Sequence, residues 1–256
     1  MEYTLKKALG QHFLTDASVC SRILEAVKEE HPKRLLEVGP GGGALTGSLL
    51  SLHDIYFKAI EVDQEKVTYL LDRYPAIRGK LIHQSILEAD LPFSDPFVLV
   101  GNFPYNISSQ IVFRILEWKD VVTNVIGMFQ KEVALRIVAK EGSRVYGILS
   151  VLVQAFYETS YLFDVDEQSF NPPPKVKSGV IRLRRRKEVP EMKSKDLFFL
   201  LVKTAFNQRR KMLRNAVRSL FDEPYLQEDL FTKRAEQLSV EQFAALTFKM
   251  RDSVHD

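Results

Sequence analysis

The run Arg34-Leu35-Leu36-Glu37-Val38-Gly39-Pro40-Gly41-Gly42-Gly43-Ala44 carries the first strong structural signal in the 256-residue chain. Residues 34–38 read as a short buried strand, and the glycines turn the chain at its end. Without a Cβ, glycine lets the main chain approach a ligand closely. Gly39, Gly41 and Ala44 fit the loose G-x-G-x-x-G/A pattern of nucleotide-binding units. Outward from there, 44–52 read as helix, 55–61 as strand and 64–74 as helix. Further strands are expected at 80–83, 97–101 and 121–129, with helices at 109–117 and 131–139. Such alternation implies a mainly parallel sheet covered on both faces, an α/β fold of Rossmann-like type.

Ligands of such sheets bind beyond the carboxyl ends of the strands. The glycine loop, Glu61, Ser85 and the turn Asn102-Phe103-Pro104-Tyr105 all fall at such ends. Glu61 lies 22 residues after Gly39, where a carboxylate can accept both hydroxyls of a ribose, in NAD or in S-adenosylmethionine. Glu37, just before the first glycine, suits the cationic amino acid part of S-adenosylmethionine. Asn102 can accept hydrogen bonds from an exocyclic amino group, and the Tyr105 ring can stack on a heterocycle. Read alone, the tetrapeptide fits a strand-ending turn around a buried Tyr equally well.

Hydrophobic residues make up 45% of the chain, enough for a packed core. A single cysteine, Cys20, excludes an intrachain disulfide. With no apolar N-terminal signal segment and no apolar run near the roughly 20 residues of a membrane span, a cytoplasmic protein without membrane contact is expected. The five histidines, His12, His31, His53, His83 and His255, show no ligand spacing, so no metal site is expected. The net charge of +3 is unevenly spread: residues 182–218 hold 13 Lys/Arg against 3 Asp/Glu. That concentration suits a polyanion or a solvated helical face. Residues 180–183 read as a closing strand, 184–195 as a linker, and 197–206, 209–220 and 240–250 as helices. On the expected 209–220 helix, Arg209, Arg210, Lys211, Arg214 and Arg218 place several cations on one side. The expected division is 1–187 for the sheet domain and 188–256 for a small all-helical domain.

The Asn-Phe-Pro-Tyr turn resembles a signature of enzymes that methylate amino nitrogens, and the likeness extends much further. Leu9-Gly10-Gln11-His12-Phe13-Leu14, Glu37-Val38-Gly39-Pro40-Gly41, Glu61-Val62-Asp63, the segment 101–108, Gln130-Lys131-Glu132-Val133, Phe170-Asn171-Pro172-Pro173-Pro174-Lys175-Val176 and Ala205-Phe206-Asn207-Gln208-Arg209-Arg210-Lys211 occur in this order. Together, from about Leu9 to Met250, they resemble the small-subunit ribosomal RNA adenine dimethyltransferases, the KsgA family. The resemblance implies a class I methyltransferase sheet with a C-terminal helical RNA- and ribosome-binding domain, S-adenosylmethionine as methyl donor, and no metal. It implies transfer to N6 of two adjacent adenosines in a hairpin near the 3′ end of 16S rRNA within the small ribosomal subunit, by a monomer, with a part in ribosome biogenesis.

Residue by residue, the resemblance gives His12 and Leu14 to a segment over the cofactor. Gly39 belongs to its methionine side, Gly41 to the same cofactor-binding turn, Glu61 to its ribose and Ser85 to its adenine. Asn102 and the Pro104 carbonyl become acceptors for the target amine, and Tyr105 and Phe170 the aromatic faces around the target base. Arg209, Arg210, Lys211 and Arg214 become RNA contacts. Three positions depart from the family's pattern: Ser85 stands for the usual Asp, Phe103 for Leu and His12 for Asn. The competing readings are a large-subunit rRNA adenine methylase of the macrolide-resistance type and a small-subunit assembly factor in which catalysis is secondary. An NAD-dependent oxidoreductase leaves residues 101–105 and the basic segment unexplained.

Overall fold

The structure is a computed structural model and describes residues 12–251. Leu9, Gly10 and Gln11 of the N-terminal motif lie outside the described residues. Packing divides the chain into two compact units, 1–134 with 159–185 and 135–158 with 186–256. The second unit is thus discontinuous, which the expected linear division at 187/188 does not describe.

The first unit opens with β1 (Phe13–Leu14) and α1 (Ala17–Lys28), then β2 (Arg34–Val38), α2 (Thr46–Leu50), β3 (Tyr56–Glu61), α3 (Gln64–Arg73) and β4 (Leu81–His83). It continues through β5 (Phe97–Asn102), α4 (Ser108–Glu117), β6 (Val122–Gln130) and the start of α5 (Lys131–Val138). After α6 (Ile148–Gln154), which belongs to the second unit, come β7 (Tyr157–Val165), β8 (Phe170–Asn171) and β9 (Ser178–Arg185). The seven-stranded sheet runs β4-β3-β2-β5-β6-β9-β7. The neighbours from β4 to β6 pair in parallel, and β9 returns antiparallel to β6. Central strands of a parallel sheet are covered twice, and Phe97 to Val100 are accordingly all buried. The short β1 pairs with β8, Leu14 opposite Phe170, in a separate two-stranded ribbon.

One face of the sheet is closed by α1. Asp16 caps it by accepting from the Ser18 and Val19 N–H groups. Val19, Ile23, Ala26 and Val27 then share one stripe, packed in a cluster with Leu35, Val98, Val100 and Ile126. At the far end Glu30 accepts from Asn124 and from the Arg184 guanidinium, and pairs with Arg182 at 3.0 Å. This buried carboxylate ties the helix end to β6 and β9.

Phe103, where the family pattern has Leu, fills the space over two glycines. A Cβ on Gly101 would lie 2.7 Å from the Phe103 ring, and one on Gly127 would lie 2.6 Å from both the Phe103 and Phe129 rings. The two rings pack at 4.9 Å between centroids.

In the second unit α7 (Lys195–Asn207) packs with α6, α8 (Leu213–Ala216) and α10 (Val240–Leu246), with α9 (Glu223–Leu226) between the last two in the chain. The expected helix over 209–220 is not formed. Arg209 to Met212 leave the helical path because Met212 is extended and forms an antiparallel bridge with Arg234, while the Leu213 N–H donates to the Lys233 carbonyl at 2.7 Å. Only 213–216 and a single turn at 218–220 are helical. Among the described residues no helix is long and apolar enough to cross a membrane.

The Phe103 packing predicts that Gly127→Ala lowers stability by about 1–3 kcal/mol through overpacking. Adding Phe103→Leu should recover part of that loss. Urea denaturation of the two variants checks it: equal stability for wild type and Gly127→Ala would contradict the account of these glycines.

Candidate active site at the ends of the parallel strands

A cleft of about 250 Å³ opens beyond the carboxyl ends of β2, β3 and β5. The residues expected at a cofactor, His12, Leu14, Gly39, Gly41, Glu61, Ser85 and Asn102, all line it, as do Pro104 and Tyr105. Four chain segments therefore meet where the strand order places the crevice.

Its floor is the glycine turn. Gly39 and Gly41 have φ of +68° and +53°, a conformation that side chains rarely adopt. Gly41 is further constrained by close approach, since a Cβ there would lie 3.0 Å from the Phe13 ring. The Glu61 carboxylate braces this turn. One oxygen accepts from Gly41 N–H at 3.0 Å, and the other from the Val62 and Asp63 N–H groups at 2.9 and 3.0 Å. Burial pushes the Glu61 carboxyl up, against the pull of those three donors. A carboxylate has about four acceptor positions, so one remains after these contacts.

Glu37 is more extreme. It is fully buried, and its side-chain partner is the Thr46 hydroxyl at 2.8 Å. Burial, with the nearby Glu61 charge, pushes its carboxyl up to about 8. A buried acid in a cleft wall, facing another acid, is suited to a ligand that brings positive charge. The glycine cradle, Glu61 and Glu37 thus fit S-adenosylmethionine, with its ribose and cationic amino acid end.

The opposite wall is the Asn102 turn. Asn102 ends β5, and its Nδ2 donates to the His12 carbonyl at 3.2 Å. That contact fixes the amide, so Oδ1 is the end that accepts. The Pro104 carbonyl takes one N–H, from Ile107 at 3.3 Å, and has a second lone pair. The half-buried Tyr105 is held by a 2.5 Å hydrogen bond between its hydroxyl and that of Ser178, and burial raises its pKa. The His12 ring stacks beside Tyr105, 5.5 Å between centroids and 28° between planes, and its Nδ1 meets the Pro172 carbonyl at 2.9 Å.

Phe170 does not join this group. It is 3% exposed, opposite Leu14 in the β1–β8 ribbon, and belongs to the apolar core. It is not among the residues lining the cleft; its cross-strand partner Leu14 is. Ser85 lines the cleft while its hydroxyl accepts the Leu87 N–H at 3.3 Å. The basic residues also separate. Arg209 is engaged, its Nε donating to Glu236 at 3.1 Å and its Nη2 reaching the Arg144 carbonyl. Arg210 and Lys211 are exposed, and Arg214 is half-buried against Met212. The sequence reading missed Thr46, Ser178 and Phe13. Thr46, nine residues after Glu37, lies at the start of the helix behind the glycine turn; Ser178 and Phe13 carry no local signal, because their partners are distant in sequence.

Residues 3–251 match the family model described as ribosomal RNA adenine dimethylase. Among curated proteins, the chain is 50% identical over 249 residues to the ribosomal RNA small subunit methyltransferase A of Flavobacterium johnsoniae, covering 96% of this chain and 95% of that one. It is 49% identical over 254 residues to the protein of that name from Bacteroides thetaiotaomicron, covering 97% and 95%. Among solved structures it resembles a dimethyladenosine transferase from Plasmodium falciparum, with a TM-score of 0.77 and 25% identity over 91% of this chain and 94% of that one. The 23S rRNA methyltransferase ErmE shares the fold, with a TM-score of 0.70 at 24% identity over 92% and 99%. With a family model spanning almost the whole chain and relatives at half identity over nearly their full length, the chain belongs to the ribosomal RNA adenine dimethylase family.

Proposed function

We propose that the protein transfers methyl groups from S-adenosylmethionine to N6 of two adjacent adenosines in a hairpin loop near the 3′ end of 16S rRNA in the small ribosomal subunit. The observation that carries this reading is the Asn102 amide, tied by Nδ2 to the His12 carbonyl so that Oδ1 and the Pro104 carbonyl form a pair of acceptors at the cleft. Two acceptors suit the two N–H bonds of an exocyclic amine. They draw that nitrogen out of conjugation with its ring and free its lone pair. When bound, the donor supplies a methyl carbon already activated by sulfonium. Alignment then contributes more than a strong base would.

The target must leave its stack to reach the cleft, which a single-stranded loop makes easy. Stacking on Tyr105, held by Ser178, offsets that loss by roughly 1–3 kcal/mol. The relatives at half identity bear small-subunit names, which favours this target over a large-subunit one. We assign methyl transfer to the first unit and contact with RNA to the second. There, Arg210, Lys211 and Arg214 supply phosphate contacts that position RNA without reading its sequence, while Arg209 holds the turn that presents them.

Asn102→Ala should lower the methylation rate about 10²–10³-fold, the scale for losing a preorganised polar partner of the reacting group, with far less effect on cofactor affinity. Label transfer to unmethylated small subunits, beside cofactor titration, tests this; near-normal turnover would remove Asn102 from the chemistry.

Glu37 holds its proton to about pH 8 when folded, against 4.5 ordinarily. The folded chain thus binds the extra proton between these values, and the stability it confers is lost as pH rises towards 8. An ammonium group placed beside Glu37 reverses the preference, so binding of S-adenosylhomocysteine, which carries an α-ammonium, should release a proton at pH 7. Calorimetry in buffers of different ionisation enthalpy should show that release in wild type and none in Glu37→Gln; equal release in both would sink the assignment.

For RNA, Arg210→Ala and Lys211→Ala should each reduce the slope of log affinity against log salt by about 1. Arg209→Ala should chiefly lower thermal stability. An unchanged slope in the first two variants would take them out of the interface.

A further inference from the structure

We propose that Asp164 is a positioning residue for methyl transfer: it clamps the start of β9, so that the Ser178 hydroxyl meets Tyr105 and sets the plane of the ring that receives the target base. The inference rests on the dimethylation reading above, in which that base stacks on Tyr105. The Tyr105 hydroxyl bonds the Ser178 hydroxyl at 2.5 Å. Ser178 is fully buried, so its place follows the main chain of β9. What fixes residues 177–179 therefore fixes the outer end of the Tyr105 ring.

Two contacts grip that stretch. Where the chain leaves β6 for α5, the Lys131 N–H donates to the Lys177 carbonyl at 2.9 Å. At the next position but one, the Tyr161 ring lies over Gly179. A Cβ on Gly179 would fall 2.8 and 2.9 Å from two of the ring carbons, and closer still to the hydroxyl. A glycine in a strand interior allows such close approach. Asp164 joins the two grips. One of its oxygens accepts from the Tyr161 hydroxyl at 2.5 Å, and the other from Lys131 Nζ at 2.6 Å. Those two bonds hold the Asp164 carboxyl below the usual carboxylate range, so it is charged at neutral pH.

Ser178 sits between the two gripped residues, opposite Gln130 in the β6–β9 register. The Gln130-Lys131-Glu132-Val133 segment, which the chemistry of the cleft leaves without a task, thereby acquires one. The side chains of Lys131 and Asp164 are 39% and 47% exposed, and a surface pair of this kind adds little to stability. A purely structural pair therefore predicts nearly wild-type rates once it is removed, whereas a clamp on Tyr105 predicts slower transfer in a protein of ordinary stability.

A double-mutant cycle on unmethylated small subunits with labelled donor separates these. Tyr105→Phe keeps the ring but loses the bond to Ser178. It should lower kcat about tenfold and Asp164→Ala about fivefold, both below the hundredfold that misplacement by an ångström can cost. Asp164→Ala should leave the KM for S-adenosylmethionine and the melting temperature unchanged. In the Tyr105→Phe background Asp164→Ala should slow transfer no further, because the link it serves is already gone. A wild-type kcat for Asp164→Ala, or an undiminished effect of that substitution in the Tyr105→Phe background, would overturn the proposal. If wild type leaves the subunits unmethylated, or Tyr105→Ala turns over like wild type, the underlying reading falls and takes the clamp's role with it.

Discussion

The bracket made by the Glu61 carboxylate governs the rest of the site. By accepting from Gly41 on one side and from Val62 and Asp63 on the other, it joins the turn after β2 to the turn after β3. A glycine turn left to itself has many conformations, and fixing it is costly in entropy. Here a buried carboxylate does the fixing with charge-assisted hydrogen bonds, stronger than neutral ones. The floor of the cleft is thus set before any ligand arrives, by a side chain that still has an acceptor position facing it.

That bracket also explains the neighbouring acid. Two carboxylates on adjacent strands of a buried sheet cannot both be charged cheaply. Glu61 has three N–H donors and Glu37 has one hydroxyl. The better-solvated member takes the charge, and Glu37 stays protonated to about pH 8. The cleft therefore stores an unfavourable burial that a cation relieves. This is how a site gains preference for a positively charged ligand without presenting a permanent negative charge to its own interior.

Much of this was legible in the sequence because it is local. The strands at 34–38, 56–61 and 97–102 are short, mostly apolar segments closed by turn residues, and their length and flanking glycines, proline and acids identify them. The glycine pattern and the acid 22 residues beyond it follow from one supersecondary unit. The helix 17–28 was also there to be read, with Asp16 as cap and Val19, Ile23, Ala26 and Val27 at helical spacing. The strand 157–165 was harder, since Glu158, Thr159 and Ser160 interrupt its apolar pattern at the sheet's edge. Periodicity failed at 209–220 because pairing of Met212 with Arg234 overrides helical propensity there, a contact across 22 residues that no local window contains.

The target side of the cleft is assembled from distant parts. Asn102 meets His12 across 90 residues, His12 meets Pro172 across 160, and Tyr105 meets Ser178 across 73. The β1–β8 ribbon, with Leu14 opposite Phe170, is what holds these contacts in register. The cofactor side, by contrast, is built from consecutive strands of one parallel sheet. The two halves of the site therefore differ in what holds them: one in local strand–turn geometry, the other in long-range closure of the chain on itself. A substitution in the ribbon acts on the geometry of the Asn102 turn while leaving the glycine turn and its carboxylate bracket in place. That separation lets the glycine turn and the Asn102 wall vary independently, each held by a different set of contacts.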